Sequence, residues 1–201
     1  MTITERLNSV LPTIPAGVTL VVAVKYANDK QIKELLLNKI NDLGFNTSKQ
    51  LLEVKEKIPA NFHFIGHLQR NKVKEILPFC TLIHSVDSIK LAEKISEEAI
   101  KINKQQEILL QIRTDEQKDY GFKIDEIETI LPQIAKLKNI IVKGLMTIPA
   151  PDEEPRSIYH KMKLLKEELD LPELSMGMSN DYKIAVEEGA TLVRIGRMLF
   201  E

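Results

Sequence analysis

Short runs rich in Val, Ile and Leu alternate with charged stretches whose apolar positions recur at helical spacing, and the alternation continues to the end of the chain. Read as strands, the runs are GVTLVVAVK (17–25), INDLGF (40–45), NFHFIGH (61–67), TLIHSV (81–86), EILLQIR (107–113), IIVKGLMT (140–147), ELSMGMS (173–179) and TLVRIG (191–196). The segments between them predict helices over 29–37, 48–57, 71–77, 88–102, 125–136, 154–169 and 181–188, each beginning near a polar residue able to cap a helix start. Five residues follow Gly196, so no helix is expected after the eighth strand, and a helix over 3–11 is expected to cover the gap. Eight strands with crossover helices predict an α/β protein, a closed (β/α)8 TIM barrel, where an open doubly wound sheet normally uses about five or six strands.

Composition narrows this further. A chain of 201 residues, 43% hydrophobic, can build one substantial core, so a single domain over 1–201 is expected. Lys+Arg 28 against Asp+Glu 29 leaves a net charge of −1 and no global field for polyanions, so neither nucleic acid nor membrane is an expected partner. Glu5 and Arg6 precede any apolar run, and the strongest apolar stretch, around 20–24, is far too short to span a bilayer. With Cys80 as the one cysteine, an intramolecular disulfide is impossible and a cytoplasmic location is the expectation. No oligomer signal stands out, and a monomer is expected.

In such barrels the chemistry sits where strands end. The first strand ends in Lys25, which by alternation shares a face with Val21 and Ala23. One reading is a lysine marking the exit into water. The other is an amine that is hard to solvate, whose neutral form attacks an aldehyde to give a Schiff base. In the seventh strand Ser175, Gly177 and Ser179 share a small, hydroxylic face that predicts a recess, although a crowded crossing would use small residues too. Loops after strands seven and eight commonly bind phosphate, and Ser179-Asn180-Asp181 and Ile195-Gly196-Arg197 stand there. Arg194 alternates with Leu192 and is expected to face the interior, where it needs an acceptor.

Asn46, His63, His67, His84, Gln111 and Arg113 are weaker strand-end signals, each as well read as a satisfied structural residue. His63 and His67 lie four apart on an apparent strand, where alternation governs geometry, and no metal site is expected. Arg70-Asn71-Lys72-Val73-Lys74 reads as a solvated helix face, and Pro149, Pro151 and Pro155 as loop punctuation.

Taken in order, VVAVK (21–25), HFIGHLQRNK (63–72), HSVDS (84–88), KDYGF (118–122), GLMTIPAP (144–151), LSMGMSND (174–181) and VRIG (193–196) resemble the pyridoxal phosphate homeostasis proteins (the YggS/PROSC family) over nearly the whole chain. That family's fold resembles the barrel domain of alanine racemase. The resemblance implies a protein of intracellular pyridoxal 5′-phosphate (PLP, vitamin B6) homeostasis that holds the cofactor as a Schiff base on Lys25. It further implies that Ser179, Gly196 and the backbone of Arg197 bind phosphate, that Arg194 faces the pyridine nitrogen, and that Asn46 lies near the cofactor; Ser175 belongs to the same expected site. The chain departs from the family pattern at Phe45, within its Gly-Glu-Asn motif, at Arg113 in place of an asparagine, and at Tyr26-Ala27.

Three function classes separate on chemistry. An amino-acid racemase needs a second base from an additional domain and an electron-withdrawing pyridinium, which Arg194 disfavours. A Schiff-base aldolase would place its lysine on a later strand. A cofactor carrier, serving PLP-dependent apo-enzymes as partners and without strong catalytic activity, fits best.

Overall fold

In the computed structural model, residues 1–114, 119–150 and 153–201 are described. Lys118 of the KDYGF motif and Pro151 of GLMTIPAP lie outside the described residues. Eight parallel strands close into a barrel in chain order: β1 Thr19–Ala23, β2 Asp42–Phe45, β3 Asn61–Phe64, β4 Cys80–Val86, β5 Gln106–Gln111, β6 Ile140–Met146, β7 Glu173–Ser175 and β8 Leu192–Ile195. The β1–β8 pairing that closes it sets Val21 beside Arg194 and Val22 beside Ile195.

The helices around the barrel are α1 Ile3–Val10, α2 Asp29–Leu37, α3 Ser48–Val54, α4 Val73–Ile76, α5 Ile89–Lys101, α6 Ile127–Ala135, α7 Pro155–Glu168, α8 Tyr182–Glu187 and α9 Arg197–Phe200. Their starts are chemically marked: Thr2, Asn28, Thr47 and Ser88 each accept the backbone N–H three residues on. The short helix α9 corrects the expectation that none follows the eighth strand. Four residues suffice for one turn, and α1 closes over it, with Arg6 Nη1 donating to Met198 O at 3.1 Å.

The core has two layers. The larger lies between strands and helices and includes Leu43, Phe45, Phe64, Ile83, Ile95, Ile108 and Tyr159, all at most 1% exposed. The smaller fills the barrel with Val21, Ile65, Leu82, Leu109, Met146 and Leu192. Strand alternation therefore buries both faces, which is why the runs read as almost continuously apolar.

Most predicted strands overrun their C-terminal ends, the end that builds a site. β1 stops at Ala23, where Val24–Tyr26 forms a 3₁₀ turn. β7 stops at Ser175, and the chain turns at Gly177, whose φ of +87° puts it in the left-handed region. A Cβ there would lie 2.5 Å from the Ala185 methyl, so lack of a side chain is needed for the turn to seat on α8.

Candidate functional site

Beyond the C-terminal ends of β1, β2, β7 and β8 lies a solvent-open cavity of about 140 Å³, into which Lys25, Asn46, Ser179, Arg194, Gly196 and Arg197 converge. Six of the seven expected site residues thus meet in one place. Ser175 does not line the cavity; it is fully buried beneath Arg194, and its connection to the cavity runs through that side chain.

Lys25 is exposed, in line with the reading that it marks the exit into water and against the one that continues the face of Val21 and Ala23. Strand alternation ends at Ala23, and the 3₁₀ turn swings Lys25 over the rim. The turn is pinned at Val24 O, which accepts Ala27 N at 3.0 Å and Gln50 Nε2 of α3 at 2.6 Å. Lys25 Nζ stands 5.1 Å from the Tyr26 ring centroid, and among the described residues it makes no hydrogen bond or ion pair. Its amine is free to meet a ligand.

Asn46 follows β2 directly and is half-buried. Gly66, after β3, passes over it so closely that a Cβ would come within 2.1 Å of Asn46 O. Phe45 points the other way, into the layer under the helices, edge-on to Phe62 with centroids 5.4 Å apart. The departure at Phe45 therefore leaves the cavity untouched.

Ser179 and Gly196 meet across the last two strand ends. Arg194 N donates to Gly177 O at 2.9 Å and Met198 N to Ser179 Oγ at 3.3 Å, so each loop holds the other. A Cβ on Gly196 would approach Ala23 O to 2.8 Å. Among the described residues the backbone N–H groups of Ser179, Gly196 and Arg197 find no acceptor, leaving donors for an anion.

Arg194 is 4% exposed, with Nη1 donating to Ser175 Oγ at 2.6 Å and Nη2 to Thr147 O at 2.9 Å. Burial lowers its pKa to about 10, with Tyr159 and Asp181 opposing, so it remains cationic at neutral pH. The expected acceptor for a buried arginine is thus a serine and a carbonyl. Thr147 O escaped the sequence reading because a backbone acceptor leaves no residue-type signal.

The weaker strand-end residues divide. His63 and His84 lie inside the barrel, hydrogen-bonded to one another at 2.9 Å. His67 is exposed, paired with Asp87 at 3.1 Å, and lines an adjoining cavity of about 220 Å³ that shares Asn46 with the first. Gln111 is buried, and Arg113 is tied through its N–H to Phe122 O at 2.8 Å; neither lines the cavity. In the basic stretch Lys72 pairs with Glu75 at 3.0 Å. Among the described residues no cluster of His, Cys, Asp and Glu has a metal-binding arrangement, and no helix is long and apolar enough to cross a membrane.

The family model of the alanine racemase N-terminal domain matches residues 3–201. A pyridoxal phosphate homeostasis protein of Synechocystis sp. is 35% identical over 208 aligned positions, covering 96% of this chain and 95% of its own. One from Aquifex aeolicus is 39% identical over 158 positions, 74% of this chain and 69% of its own. PipY of Synechococcus elongatus, solved with PLP bound, matches with a TM-score of 0.91 and 30% identity over 100% of both chains. An alanine racemase of Clostridium difficile shares the fold, at a TM-score of 0.84 and 17% identity, over 98% of this chain and 56% of its own.

Proposed function

The chain belongs to the pyridoxal phosphate homeostasis protein family, on the fold of the alanine racemase N-terminal domain, and we propose that it binds PLP at the C-terminal mouth of its barrel to maintain the intracellular supply of that cofactor. The observation that carries this reading is the convergence of an unpaired amine, a buried guanidinium and unpartnered backbone donors on one cavity.

The residues present fit the cofactor. The backbone N–H groups of Ser179, Gly196 and Arg197 find no acceptor among the described residues and open on the cavity, donors suited to a phosphate dianion. When bound, PLP supplies a reactive aldehyde and an aromatic ring able to withdraw electrons. Lys25 Nζ attaches the aldehyde covalently, as the one side-chain amine among the described residues that line the cavity. Ser179, Gly196 and the Arg197 backbone hold the phosphate, and Asn46 flanks the ring. Arg194, a donor that does not give up its proton, faces the ring nitrogen and disfavours its protonation. Weakened electron withdrawal supports a carrier that exchanges cofactor with PLP-dependent apo-enzymes over an amino-acid racemase. Balanced charge and a buried lone thiol at Cys80 suit the cytoplasm, with the chain acting as a monomer.

The test is the near-ultraviolet and visible spectrum of protein mixed with PLP and desalted, for wild type and Lys25→Ala. Wild type is expected to retain the band of lysine-attached cofactor and the variant to lose it. Absence of the band in wild type overturns the reading. For the carrier role, loaded protein should reconstitute an apo-enzyme faster than release into solution followed by rebinding allows.

A further inference from the structure

The barrel interior carries a file of polar side chains that cofactor binding does not by itself require. From the cavity downward, Arg194 Nη1 donates to Ser175 Oγ (2.6 Å), Ser175 Oγ meets His84 Nδ1 (2.9 Å), His84 Nε2 meets His63 Nδ1 (2.9 Å), and His63 Nε2 meets Asp42 Oδ1 (3.1 Å). Asp42 also accepts from Asn61 Nδ2 at 3.0 Å. Four members are at most 4% exposed, while Asp42, the first residue of β2, has a side chain 30% exposed at the barrel's opposite mouth. The file crosses the barrel.

Its hydrogens have a direction. A guanidinium only donates, so Ser175 Oγ accepts from Arg194 and its single hydrogen is free for His84 Nδ1. His84 then carries its proton on Nε2 and donates to His63 Nδ1. His63 carries its own on Nε2 and donates to the Asp42 carboxylate. With both histidines neutral, this is the arrangement that satisfies all four contacts. Reversing it needs a doubly protonated His63 and leaves the Ser175 hydrogen without an acceptor beside a cationic arginine.

Apolar side chains would fill such an interior without the desolvation cost of five polar groups, and the three strands that give no member to the file, β1, β5 and β6, do so with Val21, Leu109 and Met146. We infer that Asp42, His63 and His84 are positioning residues for Arg194: their ordered hydrogen bonds turn a Ser175 lone pair toward the guanidinium and fix it against the cavity. This rests on the reading that Arg194 faces the cofactor ring.

Histidine tautomers measured by long-range ¹H–¹⁵N correlation on the full chain without cofactor, between pH 6.5 and 8, test the file directly. Both rings are expected to carry a proton on Nε2, with His84 Nδ1 bare toward Ser175. A proton on His84 Nδ1, or a charged His84, overturns the inference whatever the chain binds.

The second arm is cofactor affinity, read from the absorption band and set beside the thermal midpoint. His84→Phe is expected to keep the lysine-attached band, lose about tenfold in affinity and shift the band's pH profile, as loss of one hydrogen bond supporting a charged group implies. His84→Asn, which restores an acceptor toward Ser175, is expected to recover most of the loss. Asp42→Ala, at the solvent-facing mouth, disturbs the same file without opening a buried cavity and is expected to lower affinity about threefold. A folded His84→Phe or Asp42→Ala with wild-type affinity and pH profile overturns the inference. A wild type that takes up no PLP overturns the functional reading instead, and the tautomers still decide the file.

Discussion

At the scale of single residues, the site depends on where the backbone denies a side chain as much as on where it offers one. Gly177 turns in the left-handed region with Tyr182 Cα and the Ala185 methyl against the place a Cβ would take. Gly177→Val is therefore expected to cost about 2 kcal/mol or more of stability. It should also displace Ser179, so cofactor retention after desalting is expected to fall more than stability alone predicts; urea unfolding and the retained absorption band measure the two. Gly196→Ala separates them: its Cβ meets Ala23 O at 2.8 Å, at the cavity wall. Retention is expected to drop about tenfold, and because the carbonyl it meets is backbone the stability loss is expected to be about 2 kcal/mol, felt at the cavity wall and not at the turn on α8. Lys25 carries the opposite lesson, since its type and place at a strand end were legible in the sequence, while alternation alone left open whether it meets water. Whether alternation runs on past Ala23 depends on the hydrogen bonds at Val24 O, one of them from Gln50, far along the chain.

At the scale of elements, apolar periodicity located all eight strands and the helices between them because burial on both faces writes a continuous signal. Helix starts were sharp where a side chain caps them. Ser88 accepts Leu91 N at the head of α5, and Ser88→Ala is expected to cost about 1 kcal/mol, seen as a lower urea midpoint at unchanged slope. Strand ends were less sharp, because the residues beyond them, such as Val24, Ile65 and Met176, stay apolar while the chain bends. β7 is only three residues, and Ser175 alone pairs it with β8, at Leu192. The join is reinforced by Thr191 Oγ1, which accepts Leu174 N at 2.8 Å and donates to Glu173. Sequence alternation groups Ser175 with Ser179. The bend at Gly177 sends one into the barrel and the other to the rim.

At the scale of the whole molecule, the polar interior couples stability to pH. Burial first, then the neighbouring His63 ring and the cationic Arg194, hold His84 well below its ordinary 6.5. The unfolded chain takes up a proton there as pH falls through about 6.5 and the folded chain does not, so stability is lost on the acid side. Asp42, lowered below 3.8 chiefly by the hydrogen bond from His63, has the same sign: its contribution is present above 3.8 and disappears as pH falls through the folded value. The urea midpoint is expected to be level from pH 8 to 7 and to decline from 6.5 toward 5, and His84→Asn should flatten that decline. A level midpoint down to pH 5 would remove His84 as its source. Cys80 reports the same unfolding: burial pushes its thiol up to about 12, so an aromatic disulfide reagent should react slowly with native protein and fully in urea.

What the sequence determined by itself was local or periodic: eight strands, the helices between them, and the residue types at the strand ends, including Lys25, Ser179, Arg194 and Gly196. Periodicity carries this because burial repeats with each turn or pleat. Tertiary structure decided what depends on partners distant along the chain. It set Val21 beside Arg194, gave that arginine Ser175 and Thr147 O as acceptors, and raised Lys25 over the rim. It also joined Asp42, His63, His84 and Ser175, from four strands, into one file. No spacing along the chain encodes those contacts, because only barrel closure and register bring the strands' inward faces together.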